Sequence, residues 1–497
     1  MRIPRVALAL AFLAALSAAA CAGMWPWQRQ LEFARALNTR QYYDISDRVI
    51  DRLEGDKSIV GIERAFLYRE LGEYYADLAQ VAAAEKKGLS LFISQLDKAR
   101  SYFQKFLDHK SIKNNPRYAS ERFDISLRLS RIQLAVAEGH ARELDREKVS
   151  KAEKARHKQR AIAIFKAAIE AFNKAVAEKA KQLKKVEKLA PPSNADPKLR
   201  EKYRERRQEA REQLFRVRLE RNVSRVRYAK LLKKVGQPPK EWRPQLDAAE
   251  KDYRQLLLDY TGTLGATQAN LELARCLIEK GAKHDKEALQ RLAEVWEKRK
   301  SYAQYKTVPC EAAELRAGIL LRQKKGQEAI GVIDALLQFA SEGVWTPEQK
   351  SVGKVIETLE ALPETDRANY DQRSAAKAFL MEAEAYAQTA AAAEKAKKKR
   401  SEIRGRYGAA YDIAIGVLEV RQYLDPKYSS LIEKWREKSG RPPAPAIVRQ
   451  RYLDAISNRK YGDAARYMRS IASRQTLLPA SELKPDQKRQ QKFRRIR

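Results

Sequence analysis

An all-α chain built from packed helical hairpins is what this sequence predicts, on three observations. Glycine and proline together make about 8% of its 497 residues, against roughly 12% in average proteins, so turn formers are scarce. Ala, Leu, Lys, Glu and Arg dominate long stretches, which favours helix over strand. Apolar residues also recur at spacings of three and four, the period of one helical face. The most compact case is 268–298, QANLELARCLIEKGAKHDKEALQRLAEVWEK, where Ala269, Leu273, Leu277 and Ile278 form one stripe. Ala288, Leu292, Val295 and Trp296 form a second, with a turn at Gly281 between them. Ala274 and Ala288 fall where the helices would cross, and small side chains there let the backbones approach. Neither helix can bury its stripe alone, so the unit requires neighbours and the chain reads as a helical solenoid.

Taken in order, residues 1–22 read as a secretory signal. Arg2 and Arg5 give a positive start, Val6–Leu16 a short apolar core, and Ser17–Ala20 a small-residue cleavage region. The apolar run is too short to span a bilayer. Cleavage after Ala20 or Ala22 fits the pattern, and Cys21 opens a second outcome. Bacterial lipoproteins are cut just before a lipid-bearing cysteine, although Ala18 stands where their signals carry a larger aliphatic residue. The expectation is export to the periplasm or cell envelope, as a soluble protein or anchored through Cys21. MWPWQ then reads as a linker. Residues 31–53 read as a first pair, with Leu31, Ala34 and Leu37 inward on one helix and Tyr43, Val49, Ile50 and Leu53 on the next.

The second pair begins at 63–79, ERAFLYRELGEYYADLA, in which Tyr68, Leu71, Gly72 and Tyr75 keep the spacing aromatic-x2-Leu-Gly-x2-Tyr. This resembles the first helix of tetratricopeptide (TPR) repeats. Residues 96–109, with Ala99, Phe103 and Phe106, match the second helix. The family's glycine lets that second helix pack close, and its aromatics fill the gap to the neighbouring repeat. The departure is a segment of about 15 residues, VAAAEKKGLSLFISQ, between the helices, beyond the usual repeat of about 34 residues. The fold implied is an all-α, right-handed helical-hairpin solenoid with long helical insertions.

The third unit, 119–188, has a charged stretch DREKVSKAEKARHK between its helices, and its second helix runs on to Pro191–Pro192. A further helix spans 198–236, with Leu199, Tyr203, Ala210, Leu214 and Val217 spaced like a coiled-coil seam. About 174–215 is either a projecting antiparallel hairpin or simply the charged outer ends of two overlong repeat helices. Gln237–Pro239 is the clearest linker; the TPR-like repeats before it occupy 25–236. A closing helix at 246–263 opens a central block, 240–340, which ends on the pair 310–340 with Gly326 in its turn. Residues 341–372 read as an irregular loop with a short helix. The C-terminal repeats, 373–472, hold the pair 375–425, split by the basic insert AEKAKKKRSEIRGR, and a degenerate pair at 446–472. The tail 473–497, ending in KPDQKRQQKFRRIR, has no apolar period and is expected to be disordered.

Lys and Arg number 100 against 64 Asp and Glu, a net charge of +36. That charge either attracts a polyanion or solvates long helices. An exported chain does not meet DNA or RNA, so a polyanionic partner would be an envelope polymer or a membrane surface. Cys276 and Cys310 would sit on parallel helices about 10 Å out of register, beyond disulfide reach, and are expected as free buried thiols. Phosphate loops, dinucleotide fingerprints, zincin, hydrolase and CxxC motifs are missing from the sequence, as is the domain signature of lytic transglycosylases. His109, His140, His157 and His284 lie in polar contexts and read as solvated or capping. No enzyme activity, metal or cofactor is therefore expected. The TPR resemblance implies a protein-binding scaffold that holds a peptide or helix in a groove lined by first helices. By pattern, Arg69, Glu73, Gln268, Arg275, Glu279, Lys377 and Glu384 would face that groove. The alternative expectation is electrostatic binding of an anionic polymer or membrane through the hairpin, the Lys395–Arg406 insert and the tail. Self-association through the exposed seam is a third.

Overall fold

The computed structural model describes residues 25–441, except 41, 85–88, 146–148, 192–195, 303–306, 342–371 (where Val352 and Val355 alone are described) and 422–425, together with scattered positions from 444 to 468. The expected signal over 1–22 with Cys21, most of the expected loop over 341–372, most of the expected pair at 446–472 and the expected tail 473–497 therefore lie outside the described residues. Among the described residues the secondary structure is helical, with no strand. None of these helices is long and apolar enough to cross a membrane. The chain divides into two compact units, Met1–Ala249 and Glu250–Arg497.

In the first unit, α1 (Pro26–Thr39) pairs with α2 (Tyr43–Gly55), and α3 (Gly61–Ala84) with α4 (Leu89–Asp108). Three helices follow: α5 (Ala119–Glu143), α6 (Lys151–Lys188) and α7 (Pro197–Lys234). From α4 to α7 each packs on the next, and α1 also touches α3 while α5 touches α7. Polar contacts fix the directions. Between α6 and α7 the partner numbers run in opposite senses, with Lys158 on the Val235 carbonyl, Lys179 on Gln213 and Glu187 on Arg211. Between α5 and α7 they rise together, with Arg131 on Glu220 and Asp145 on Lys234, each 89 residues apart. Neighbours in sequence are thus antiparallel, and first helices of successive pairs are parallel.

The stretch 63–109 packs as its residues require. Phe103 on α4 is fully buried against Gly72, where an added Cβ would sit 2.6 Å from two ring carbons. No side chain larger than hydrogen fits without moving that ring. Tyr75 stacks on Tyr102 with ring centroids 5.5 Å apart. Burial and the nearby carboxylate of Glu54 both push the Tyr75 phenol well above its usual range, so it stays neutral.

In the second unit, the end of α8 (Pro239–Asp259) leads into α9 (Leu264–Lys280) and α10 (Asp285–Glu297). Then come α11 (Thr307–Arg322), α12 (Gly326–Ala340), α13 (Gln372–Lys395), α14 (Arg400–Arg421) and α15 (Pro426–Ser439). From α9 onward each helix packs on the next, and α9 touches α11 while α11 touches α13. Consecutive packed pairs with neighbouring first helices are compatible with a helical solenoid. In α9 and α10, Ala269, Leu273, Leu277, Ala288, Leu292 and Val295 are all fully buried, as their spacing predicts. The turn between them places Gly281 at φ +115°, a backbone conformation in which a side chain is strained. Cys276 and Cys310 are free and buried.

Several sequence expectations need correction. MWPWQ is no linker: α1 starts at Pro26, and Trp27 is buried in the core. Most of VAAAEKKGLSLFISQ extends α3 and α4, leaving only 85–88 outside the description. The basic insert 393–406 is likewise mostly helix, because α13 reaches Lys395 and α14 starts at Arg400. The charged stretch before α6 folds from Lys151 onward, started by a capping box in which Ser150 and Glu153 satisfy each other's backbone N–H groups. α8 begins at Pro239, not 246, with Pro244 inside it. Ala- and charge-rich sequences propagate helix without an apolar period, which is why periodicity missed them. The seam on α7 is buried only from Ala210 onward, and Leu199 is exposed.

His140 also departs from expectation. It is buried, and its Nδ1 lies 2.8 Å from Nδ1 of His157 across α5 and α6. Burial first, then His157 and Arg160, push its imidazole below the ordinary value. His109 does cap a helical turn, accepting from the Ser111 amide at 3.3 Å.

Candidate partner-binding face

The first helices of successive pairs are joined by ion pairs, and these include several residues expected in the groove. In the first unit Arg35 on α1 meets Glu70 on α3 at 3.4 Å, Glu73 on α3 meets Arg128 on α5 at 2.6 Å, and Arg131 on α5 meets Glu220 on α7 at 2.5 Å. In the second, Arg275 on α9 meets Glu311 on α11 at 2.5 Å, and Glu314 on α11 meets Lys377 on α13 at 2.5 Å. The logic is local. Residues three apart sit side by side on a helix, so Glu70 and Glu73, Arg128 and Arg131, or Glu311 and Glu314 can each reach back with one side chain and forward with the other. The ladder side chains alternate in sign from one first helix to the next: Arg35 on α1, Glu70 and Glu73 on α3, Arg128 and Arg131 on α5, then Arg275 on α9, Glu311 and Glu314 on α11, and Lys377 on α13. Between α5 and α7 further pairs run in the opposite sense, Asp124 with Arg216 and Glu138 with Arg227.

The spacing of these contacts measures the repeat. Arg35 and Glu70 are 35 residues apart, and Arg275 and Glu311 are 36 apart. Where hairpins are lengthened the interval grows to 55 for Glu73 and Arg128, 63 for Glu314 and Lys377, and 89 for Arg131 and Glu220.

Carboxylates around two of the ladder guanidiniums act against burial. Burial alone pulls the Arg275 guanidinium down, but the carboxylates of Glu272 and Glu311 outweigh it and hold it above its ordinary value. Arg35 follows the same pattern through Glu32 and Glu70. In the second unit Glu250 is half-buried, which favours its neutral form. Lys280 at 2.6 Å and Arg254 at 2.8 Å overcome that and lower its carboxyl.

Of the seven residues expected in the groove, Glu73, Arg275 and Lys377 are therefore ladder members. Arg69 bonds its neighbour Glu70 at 2.7 Å and lies over the Phe66 ring at 4.8 Å. Gln268 is exposed on α9, and Glu279 and Glu384 are half-buried. Sequence reasoning missed the opposite members: Arg35, Glu70, Arg128, Arg131, Glu220, Glu311 and Glu314. The signal available was like charges three apart on one first helix, answered by the opposite sign on the next. Among the described residues no group of three or more His, Cys, Asp or Glu is placed to hold a metal ion. The chain matches no model of a known protein family, and no curated protein matches it.

Proposed function

We propose that this chain is a non-enzymatic, TPR-like protein-binding scaffold of the bacterial cell envelope, holding an extended peptide or a helix of its partner along the face of its first helices. The observation that carries the reading is the ion-pair ladder. It sets charged side chains at helix-to-helix intervals along parallel first helices, with a 35- or 36-residue repeat where the hairpins are compact. Each pair is pre-organised by its neighbour. A guanidinium has five donors, more than one carboxylate uses, so capacity remains for partner carbonyls or acidic side chains. Export rests on the signal-like first 22 residues, and the TPR-like character on the packing of Phe103 against Gly72 and the aromatics around it.

The test is site-specific photocrosslinking in the producing cells. A photoreactive residue replaces the exposed Gln268 on first helix α9, or the exposed Gln290 on second helix α10. Discrete protein adducts from position 268, but not 290, are expected. Adducts from 290 alone, or equally from both, would overturn the groove assignment.

A further inference from the structure

We propose that the outer end of the α6–α7 hairpin is a membrane-surface contact, in which Leu189 and Leu199 enter the headgroup boundary of an anionic bilayer and the surrounding lysines and arginines meet lipid phosphates. This goes beyond the scaffold reading and stands independently of it.

The hairpin outruns its support. Lys179 lies over the ring of Phe123, 4.1 Å from its centroid, and Arg216 pairs with Asp124, both close to the first turn of α5. Beyond Lys179, α6 continues to Lys188, about 14 Å at helical rise. The last buried side chain on α6 is Phe172, and the first on α7 is Ala210. The extension between them is nevertheless a built element. Arg207 donates to the Leu189 carbonyl at 2.5 Å, tying off the end of α6. Asp196 caps α7 by accepting from the Leu199 amide at 2.6 Å, and Arg211 meets Glu187 at 3.0 Å.

At that tied-off end stand two large apolar side chains, Leu189 at 48% and Leu199 at 38% exposure. Residues 180–209 hold ten Lys and Arg against five Asp and Glu. Asp196 is engaged in the cap, Glu187 with Arg211, and Glu201 with Arg204. Glu205 and Glu209 are exposed as well, yet the surface keeps a positive surplus: Lys181, Lys184, Lys185, Lys188, Lys202 and Arg206 are all exposed. Charge alone would suit any polyanion. Two exposed leucines within a basic collar gain from an apolar phase, the combination of apolar insertion and headgroup attraction that holds proteins at bilayer surfaces. A single-strand nucleic-acid platform would need several stacking aromatics, and the extension holds only Tyr203.

The experiment is co-sedimentation of the full chain, made in a cell-free extract so that Cys21 carries no lipid, with vesicles of phosphatidylcholine or of an equal mixture with phosphatidylglycerol. Binding to the anionic vesicles, weakening as salt rises, is expected. Leu189→Ser with Leu199→Ser, which leaves the charge unchanged, should lower it at least about tenfold. Lys184→Gln with Lys185→Gln should lower it roughly fivefold for each charge removed. All variants keep the rest of the chain's charge, and none touches a buried side chain, so unchanged circular dichroism accompanies them. If the leucine variant binds like the wild type while the lysine variant fails, the hairpin reads charge alone and its partner is an anionic polymer, which overturns the membrane contact. Equal binding by all three proteins, or no preference for the anionic vesicles, overturns it as well.

Discussion

The hairpins α9–α10 and α6–α7 are the same motif built to different lengths, and they show what a neighbour contributes. In α9–α10 the apolar stripe runs the whole length of both helices and is sealed, with Leu273, Leu277, Leu292 and Val295 fully buried. In α6–α7 each helix has 38 residues, but burial ends at Phe172 and begins again at Ala210. The sealed hairpin is held by packing against adjacent helices. The outer part of the long one is held by helix propensity, caps and exposed polar pairs, each individually weak. One hairpin is fold; the other extends the fold into solvent.

Core truncations should separate the two most sharply. Leu273→Ala is expected to cost about 2–5 kcal/mol of stability, while Leu183→Ala in the extension, half-buried there, should cost less than about 1 kcal/mol. Chemical unfolding followed by circular dichroism measures both, and equal losses would mean that the extension has support of its own.

Ion pairs give a smaller contrast. Glu314 is 9% exposed where it meets Lys377, whereas Arg211 and Glu187 are 54% and 40% exposed. Lys377 is itself 63% exposed, so Glu314→Gln should cost only about 1 kcal/mol, on the side of the buried carboxylate. Glu187→Gln should cost no more than about 0.5 kcal/mol. The same unfolding measurement at low and high salt would expose an error: a salt-sensitive loss at Glu187 exceeding that at Glu314 reverses the ranking.

A pH-dependent effect belongs to the inner end of α6, where His157 meets His140. A histidine whose folded value lies below its unfolded one favours the neutral form in the native state. Its contribution is therefore present above about pH 6.5 and lost as pH falls through that range, by at most about 1.4 kcal/mol per pH unit. The groups acting on His140 are Asp97 from α4, Glu143 from α5, and His157 and Arg160 from α6; the two acids oppose the shift. His140→Phe should flatten the decline of thermal stability between about pH 7.5 and 5.5, and an unchanged slope would remove His140 from the account.

Most helices were legible in the residues because a stripe spaced by three and four, with Gly281 or Pro191 to stop it, is a local property. The segments misread were those whose helicity carries no stripe. VAAAEKKGLSLFISQ and AEKAKKKRSEIRGR look like inserts to a search for periodicity, yet Ala, Lys and Glu propagate a helix already nucleated beside them. Trp27 belongs to the first stripe, four residues before Leu31 and seven before Ala34, because Pro26 stands at the first helical position and starts α1 there. For the face of first helices, the pattern pointed to Glu73, Arg275 and Lys377 but could not assign their partners.

By itself, then, the sequence determined an all-α chain of hairpins, its stripes, its strongly basic composition and two free, buried thiols. Those follow from interactions within a few residues, or from composition. Tertiary structure alone decided which charges meet and where a hairpin outruns its neighbours. A carboxylate 35, 55 or 89 residues from its guanidinium finds it only once every intervening helix has its length and direction. Leu189 and Leu199 are exposed because α5 begins where it does, and nothing in their own neighbourhood specifies that.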